Sequence, residues 1–368
     1  MNSHDSERIK GMLAERKYCL TDIPEEADVL LFNTCSVRKH AEDRVVGKVG
    51  PLKELKEKRP EVIIGILGCM AEAQKDSIFR KLPHVDFLCG PADLDKIPNI
   101  IEKVRSGANH LMYLEGRGSE RMPDFSNVMA INKKAYVKIM EGCDNFCSYC
   151  IVPYVRGVER SRTPEEILDE IKKLMDKGVK HITLLGQNVN SYGKNLNKRI
   201  NFPGLLREID KIASRNLTVD FVTSHPKDAS PDLFKAMAEL ESLSKTLHLP
   251  LQSGSNKILK AMNRGYSVGK YKALVRDFRK IVNGSSLKTD FIVGFPGETE
   301  KDFEDTLNVM EEIRFDAAYI FKYSPRPFTA ASKLKDDVPQ AEKERRHAML
   351  LKAQKKISMA NAKLYAIR

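Results

Sequence analysis

Glu141-Gly-Cys143-Asp-Asn-Phe-Cys147-Ser-Tyr-Cys150 is the most distinctive stretch of this sequence, because it places three cysteines within eight residues. Cysteine thiolates are soft metal ligands, and three of them on one tight loop can bind zinc or three irons of a four-iron cluster. A structural zinc site uses four ligands, and no fourth Cys or His follows Cys150 nearby. The spacing therefore predicts a metal site with one open position, with a reduced surface loop as the alternative.

The residues around the cysteines narrow this choice. The pattern Cys-x-x-x-Cys-x-aromatic-Cys resembles the signature of the radical S-adenosylmethionine (SAM) family, and it is formed here by Cys143, Cys147, Tyr149 and Cys150. Residues 141–157, followed by Ser161-Arg162, are similar to the methylthiotransferase branch of that family. The resemblance implies a 4Fe-4S cluster on the three cysteines, whose open iron binds SAM. In that family the cluster donates an electron, SAM splits, and a 5'-deoxyadenosyl radical abstracts hydrogen from an unreactive carbon.

The composition limits the class of protein. The chain has 368 residues, of which 42% are hydrophobic, enough for two or three domains with real cores. Seven cysteines, no signal-like start and no 18-residue apolar run predict a cytoplasmic protein without a membrane partner. The net charge of +12 suits a polyanionic partner, although charge alone does not separate RNA from DNA or an acidic protein.

Residues 1–105 predict a doubly wound α/β domain with a parallel sheet. Apolar runs at residues 29–32 and 62–68 are separated by a helical pattern at residues 39–58, and each run is followed closely by a cysteine, Cys35 or Cys69. Because ligands gather at the carboxyl ends of parallel strands, we expect both cysteines at one edge of the sheet. The strings Asn33-Thr-Cys35-Ser-Val-Arg38 and Gly68-Cys69-Met-Ala71 resemble the amino-terminal domain of methylthiotransferases. That resemblance implies a second 4Fe-4S cluster on Cys35 and Cys69.

The family uses three cysteines for its second cluster, and the first lies in a Gly-Cys-Gln-Met-Asn string followed by Asp-Ser-Glu. This sequence has Met1-Asn2 and Asp5-Ser6-Glu7, so the match places the third cysteine two positions before Met1. We therefore expect the chain to begin partway into the protein and its second cluster to lack one cysteine ligand. Cys19, at the predicted start of a strand, and Cys89 are interpreted as surface or core thiols rather than substitutes.

The rest of the chain predicts a second domain. Residues 106–127 have linker composition, and residues 128–368 contain six strand-like runs with helical patterns between them. This order resembles the partial (βα)6 TIM-like barrel of radical SAM enzymes, with the active site at the carboxyl ends of the strands. The runs are residues 135–140, 181–185, 219–223, 246–251, 287–293 and 318–323. Thr163-Pro164-Glu165-Glu166 predicts the start of the first helix, with an N-cap residue, a proline at the first position and acidic residues in the first turn.

Glycines, amides and hydroxyls follow several of these strands, where they can bind the ribose, adenine and methionine parts of SAM. The predicted cofactor-binding residues are Tyr149, Gly186, Gln187, Asn188, Gln252, Ser253 and Gly294. For His225 a turn before Pro226 explains the residue as well as a direct role does. No catalytic residue is predicted beyond the cluster ligands.

Three further strings indicate the substrate. They resemble the methylthiotransferases that convert N6-isopentenyladenosine, beside the anticodon of tRNA, to its 2-methylthio derivative, and they are Gly186-Gln-Asn-Val-Asn190, Thr223-Ser-His-Pro226 and Pro325-Arg-Pro327. The resemblance implies that one SAM methylates a sulfur associated with the second cluster and that another supplies the radical. The alternatives are action on N6-threonylcarbamoyladenosine of tRNA, action on a ribosomal protein aspartate, and a non-catalytic iron-sulfur or RNA-binding remnant.

The implied partners are tRNA and an electron donor such as a flavodoxin or ferredoxin, and the chain is expected to be a monomer. Residues 340–368 predict a long basic helix with eight Lys or Arg against two Glu, which suits RNA contact and a solvated helix face equally well. Family members normally continue into a small β-barrel RNA-binding module, which we expect to be absent from this chain.

Overall fold

A parallel sheet occupies the first part of the chain in the computed structural model, which describes residues 1–36, 39–114, 133–197 and 200–366. Its strands are β1 (Val29–Thr34), β2 (Ile63–Gly68), β3 (Phe87–Cys89) and β4 (Leu111–Tyr113), all parallel and in this spatial order. Side chains of β2 alternate between two apolar cores: Ile63 and Leu67 face one, and Ile64 and Ile66 face the other. Such alternation is what a sheet buried on both faces requires.

Helices cover both faces of this sheet, which confirms the predicted α/β class. They are α1 (Asn2–Glu15), α2 (Lys39–Val49), α3 (Leu52–Lys58), α4 (Cys69–Gln74), α5 (Ser77–Lys81) and α6 (Ile97–Arg105). α1 and α6 pack on the face of Leu67, whereas α2, α4 and α5 pack on the face of Ile66. The single helix predicted for residues 39–58 is divided at Gly50-Pro51, because proline lacks the N–H that a continuing helix needs.

Two predictions about this region are wrong. β4 lies inside the predicted linker 106–127, where three residues with a half-exposed Met112 extend the sheet at its edge. A run this short carries too little periodicity to be recognised, and the remainder of the predicted linker lies outside the described residues. Cys19 is not at the start of a strand but exposed in the connection between α1 and β1.

Six further parallel strands form the predicted partial barrel. They are β5 (Lys134–Lys138), β8 (His181–Leu185), β9 (Thr218–Phe221), β10 (Thr246–His248), β11 (Ser286–Val293) and β12 (Ala317–Lys322). Two sheets have the orders β5-β8-β9 and β10-β11-β12, and a parallel bridge links Val219 of β9 to Leu243, which precedes β10. A small antiparallel ribbon, β6 (Met140–Glu141) and β7 (Arg160–Ser161), follows β5.

Helices surround the barrel strands. They are α7 (Val152–Val155), α8 (Pro164–Asp176), α9 (Phe202–Ile212), α10 (Pro231–Glu239), α11 (Asn256–Ala261), α12 (Val268–Ile281), α13 (Glu300–Ile313) and α14 (Gln340–Ala366). α8 begins as its sequence predicts, because Thr163 and Glu166 form a reciprocal capping box around Pro164. Among the described residues, no helix is both long and apolar enough to cross a membrane.

Candidate active site

The ribbon β6–β7 closes the loop that carries the three clustered cysteines. Glu141 pairs with Arg160, and the N–H of Cys143 donates to the carbonyl of Gly157 at 3.2 Å. Gly142 has a φ of +80°, and a β-carbon there would collide with the carbonyl of Val158. Only glycine therefore allows the chain to turn into the cysteine loop so close to its returning strand.

Contacts from the far side of the barrel fix the same loop. The N–H of Ser148 donates to the carbonyl of Met262 at 3.0 Å, and its hydroxyl donates to the carbonyl of Ala261 at 2.8 Å. The N–H of Ala331 donates to the carbonyl of Ser148 at 2.7 Å. The loop is thus held at the carboxyl ends of the strands by residues that follow β10 and β12, as the prediction for an active site requires.

Arg264 places a buried positive charge against Cys147. Its Nη1 lies 3.2 Å from the Sγ of Cys147 and 3.3 Å from the hydroxyl of Tyr149, and its Nε donates to the hydroxyl of Tyr266 at 2.9 Å. A guanidinium is always charged and holds several partners in one plane. The Arg264 guanidinium therefore presents an N–H donor and a positive charge to the sulfur of Cys147.

His225 faces Cys147 from the end of β9. Burial, together with Arg264, Lys227 and Lys194, lowers the pKa of His225 to about 2, so the imidazole is neutral. Its Nδ1 accepts the N–H of Lys227 at 3.1 Å, which puts the remaining proton on Nε2. Nε2 lies 3.9 Å from the Sγ of Cys147 and can donate towards it. The structure thus gives His225 both a turn contact and a position beside a predicted cluster ligand.

The three thiols lie within one another's electric field. Burial and then Cys147 raise the pKa of Cys150 to about 12, and burial raises the pKa of Cys143, with Cys147 adding to it. Three thiolates side by side therefore need a positive group between them. No three His, Cys, Asp or Glu side chains converge on a single ion anywhere in the described part of the chain. A four-iron cluster does not require the three sulfurs to converge on one ion, because each cysteine binds a different iron.

Unpaired polar atoms lie at the carboxyl ends of the neighbouring strands. Buried side-chain atoms without a hydrogen-bond partner occur at Gln187 and Asn190 after β8, Ser224 after β9 and Gln252 after β10. Buried polar groups are normally hydrogen-bonded, so several buried polar atoms without partners at one end of a barrel indicate a polar ligand. These residues fit a small molecule with amino, carboxylate and hydroxyl groups, as SAM has.

The other predicted cofactor-binding residues have partners within the chain. The amide of Asn188 donates to Asp228 at 2.7 Å and accepts the N–H of His225 at 3.1 Å. The hydroxyl of Ser253 lies 3.4 Å from that of Thr306 and accepts the N–H of Ser255. The Asn188 amide and the Ser253 hydroxyl therefore stabilise the loops that follow the strands, and their contact with a cofactor stays a prediction.

Two predicted glycines are explained by packing. A β-carbon on Gly186 would lie 2.6 Å from the Cγ of Met140. Gly294, with a φ of +70°, donates its N–H to Glu298 at 2.6 Å, and the side chain of Lys343 from α14 fills the space of a β-carbon. The carboxylate of Glu298 is held in turn by Arg346 at 2.7 Å. Gly294 therefore joins β11 to α14, whatever further contact it makes.

Cys35 and Cys69 follow two strands that pair directly. Thr34 lies opposite Gly68 in the parallel register, so both cysteines leave the sheet at the same edge. Burial raises the pKa of Cys69, whereas the adjacent guanidinium of Arg156 lowers it and Cys35 raises it further. The structure thus brings together two thiols and one cation, while Val37 and Arg38 of the same predicted string lie outside the described residues.

A buried group of four charges joins this edge to the cysteine loop of the barrel. Asp5 contacts Lys138 at 2.9 Å and Arg156 at 3.1 Å, and Glu141 contacts Arg156 at 2.6 Å and Lys138 at 3.5 Å. Burial alone would raise the pKa of Asp5 and Glu141, but Lys138 and Arg156 outweigh it and lower both values. We call these four residues the charge quartet. It extends from two residues before Cys143 to the side of Cys69.

The remaining two cysteines are far less suited to a metal. Cys89 is fully buried in the apolar core of α1 and α6, and burial raises the pKa of its thiol well above the usual value. Cys19 is exposed. None of the seven cysteines, all of which are described, is disulfide-bonded. The interpretation of Cys89 as a core thiol and Cys19 as a surface thiol agrees with these positions.

Sequence reasoning missed Arg264, Arg156 and the buried unpaired side-chain atoms of Asn190 and Ser224. Asn190 and Ser224 belong to the strand-end strings, so the rule that ligands gather at strand ends could have identified them. Arg156 lies within the extended motif but carries no local sign of its contact with Cys69. Arg264 follows α11, and only the folded barrel brings it to Cys147.

Comparisons with known proteins agree with this architecture. The family model described as "Radical SAM superfamily" matches residues 137–310, and that of "Uncharacterized protein family UPF0004" matches residues 1–90. Among solved structures, the chain resembles the radical S-adenosylmethionine methyltransferase TsrM from Kitasatospora setae, with a TM-score of 0.66 and 11% identity over 90% of this chain and 74% of that one. At this identity the likeness shows the fold alone.

Curated relatives share far more of the sequence. The "tRNA-2-methylthio-N(6)-dimethylallyladenosine synthase" of Clostridium novyi (strain NT) is 49% identical over 96% of this chain and 78% of its own length. The protein of the same name from Thermoanaerobacter sp. (strain X514) is 45% identical over 98% of this chain and 76% of its own length. The chain therefore belongs to the radical SAM superfamily and, within it, to the family of the tRNA-2-methylthio-N(6)-dimethylallyladenosine synthases.

Proposed function

We propose that this protein is a radical SAM methylthiotransferase that converts N6-isopentenyladenosine, beside the anticodon of tRNA, to its 2-methylthio derivative. The observation that carries the proposal is the 49% identity to a synthase of this name over 96% of the chain. The arrangement of the cysteines supports it, because three thiols lie at the open end of a barrel and two more lie across the charge quartet. The sister substrates of the family lack such support here.

Cys143, Cys147 and Cys150 would hold the first 4Fe-4S cluster, and membership of the radical SAM family implies both this cluster and SAM. When bound, they supply the electron transfer and the radical chemistry that activate C2 of the adenine. Arg264 and His225 direct N–H donors at the sulfur of Cys147, where they would orient it as a cluster ligand. Gln187, Asn190, Ser224 and Gln252 would bind the polar groups of SAM, since their buried atoms need partners.

Cys35 and Cys69 would be two ligands of a second 4Fe-4S cluster. Two observations support this site: the strands β1 and β2 bring both cysteines to one edge, and Arg156 lies against Cys69. A cation beside a thiol favours the thiolate that a metal binds. The charge quartet would hold this edge at a fixed place relative to Cys143, Cys147 and Cys150. We call these three residues the first cysteine group and Cys35 and Cys69 the second, and a reaction with steps at both groups requires them to be fixed relative to each other.

Transfer RNA would bind through a positively charged surface, with an electron donor such as a flavodoxin or ferredoxin as a transient partner of a monomeric enzyme. The basic helix α14 has two parts, which differ in whether their cations are paired with carboxylates of the chain. Lys343, Arg345 and Arg346 form ion pairs with carboxylates of the chain itself. Lys352, Lys355 and Lys356 are exposed further along the helix and are free to meet phosphates.

Anaerobic reconstitution with iron and sulfide tests the proposal. We expect reductive formation of 5'-deoxyadenosine from SAM, and 2-methylthio product on isopentenylated tRNA by mass spectrometry. Iron content between about four and about eight per chain would count the clusters. Product on tRNA with N6-threonylcarbamoyladenosine, or on the ribosomal protein, would assign the chain to a sister group. Failure to cleave SAM in fully loaded protein would leave only a binding role.

A further inference from the structure

Three aromatic side chains form a connected group at the mouth of the barrel, and none of them belongs to the proposed cluster or SAM sites. Phe146 and Tyr154 meet edge to face with ring centroids 6.1 Å apart, and Tyr154 and Phe328 are 6.4 Å apart. Phe146 is 49% exposed and Phe328 is 48% exposed. We call these residues the aromatic group. Exposed apolar side chains that form one contiguous patch often mark a binding site, whereas apolar side chains exposed singly need no explanation.

The backbone holds both exposed rings in an unusual conformation. Phe146 has a φ of +44° and Phe328 a φ of +70°, the left-handed region that bulky side chains rarely adopt. Asn263 fixes the first turn by donating to the carbonyl of Phe146 at 3.0 Å, and Thr329 fixes the second by donating to the carbonyl of Arg326 at 2.8 Å. Strain of this kind persists where the surrounding structure enforces it, and it is concentrated at functional sites.

The aromatic group extends from one cysteine group to the other. Phe146 lies between Cys143 and Cys147 in the sequence, and Tyr154 packs against the apolar cluster that contains Cys69. Phe328 is two residues from Arg326, whose guanidinium contacts Glu42 at 3.4 Å and lies in the field of Cys35. A planar ligand on these rings would therefore lie beside both groups of thiols.

We infer that the aromatic group is the platform on which the target adenine of the tRNA stacks. The inference rests on the proposed function, because attachment of sulfur to C2 needs the base within reach of both cysteine groups. Loop nucleotides of RNA are recognised by splaying out their bases and stacking them on Phe or Tyr rings. A chain with a net charge of +12 suits the phosphates on either side of that base.

Binding of a fluorescent anticodon stem-loop RNA to the reconstituted full chain tests this inference. Phe328→Ala should raise the Kd for RNA with N6-isopentenyladenosine about tenfold, the usual effect of losing one stacking ring. Phe328→Tyr should keep the affinity, because its ring stacks equally well, whereas Phe328→Leu should behave like Phe328→Ala. Leu334→Ala is the matched control, since Leu334 is also 48% exposed and follows Phe328 closely. It should leave the Kd unchanged.

A second RNA, abasic at the target position, assigns the contact to that base. With this RNA, Phe328→Ala should cause almost no further loss, because the two changes remove the same interaction. Equal losses with both RNAs, an unchanged Kd for Phe328→Ala, or full affinity of Phe328→Leu would overturn the inference. Iron content and melting temperature report on folding of each variant. Wild-type protein that makes no 2-methylthio product would instead refute the proposed function. This result comes from the product assay and is therefore distinguishable from a failure of the stacking inference, which the binding assay reports.

Discussion

In the barrel, Cys143, Cys147 and Cys150 share one loop, whereas at the sheet edge Cys35 and Cys69 come from two different strands. The loop is fixed by backbone hydrogen bonds from three parts of the barrel, and Cys147 has both Arg264 and His225 beside it. The sheet edge depends on strand register and on the guanidinium of Arg156 beside Cys69. A local motif thus specifies the first group, and the topology of a whole sheet specifies the second.

The largest expected effect separates these two groups by function. Cys147→Ala should reduce 5'-deoxyadenosine formation to background, because a cluster with two thiolates is underligated. Cys69→Ala should retain this cleavage and lose only the 2-methylthio product, since its thiol belongs to the other site. Cys19→Ala, which changes an exposed thiol, is the control and should retain both activities. Both activities are measured on isopentenylated tRNA by mass spectrometry.

The comparison would break if Cys69→Ala stopped SAM cleavage in protein that still held about four irons per chain. The two groups would then act as one site. Normal cleavage by Cys147→Ala would equally remove the assignment of the barrel loop.

The charge quartet connects the two groups, and its loss should have the next largest effect. Asp5→Asn leaves Lys138 and Arg156 buried with one carboxylate instead of two, which should lower the free energy of unfolding by about 3–5 kcal/mol. Asp169→Asn, which changes an exposed pair with Lys172, should cost less than about 0.5 kcal/mol. Urea unfolding at neutral pH measures both.

The pH dependence of this effect has a definite sign. The pKa of Asp5 is lower in the folded protein, so its stabilisation is fully present above the unfolded pKa of about 3.9 and is lost as the pH falls towards the folded value. The difference between wild type and Asp5→Asn should therefore narrow below about pH 4. A difference that is constant, or that widens on acidification, would mean that Asp5 is not ionised in the fold.

The sequence predicts what local pattern encodes. Six apolar runs predict the six barrel strands, and Thr163-Pro164 predicts the start of α8. The sequence does not predict β4 or the ribbon β6–β7, because strands of two or three residues are too short to show a hydrophobic periodicity. It also fails for Arg264 and Arg156, because a charge acquires its partner only when distant segments meet in the fold.

Arg264 offers a sharper comparison within the barrel. Arg264→Lys keeps the charge but cannot hold Cys147, Tyr149 and Tyr266 at once, so SAM cleavage should slow by about 10- to 100-fold. The loss of an N–H donor to a ligand sulfur should also make the cluster potential more negative. Redox titration by electron paramagnetic resonance measures the potential, and exposed Arg276→Lys is the control. An unchanged potential with slow cleavage would limit Arg264 to a packing role.

The smallest effect is expected at Cys89, and it tests how strictly strand register selects the ligands at the sheet edge. Cys89 ends β3 opposite Leu67, two positions before Cys69 along the neighbouring strand, and its side chain points into the core of α1 and α6. Within the described residues its thiol donates a weak hydrogen bond to the carbonyl of Gly90 at 3.6 Å. Cys89→Ala should therefore leave iron content and product unchanged and cost about 1 kcal/mol of stability through lost packing. If iron falls instead, as it should for Cys69→Ala, then Cys89 supplies a ligand after rearrangement of β3, and register alone does not define the second site.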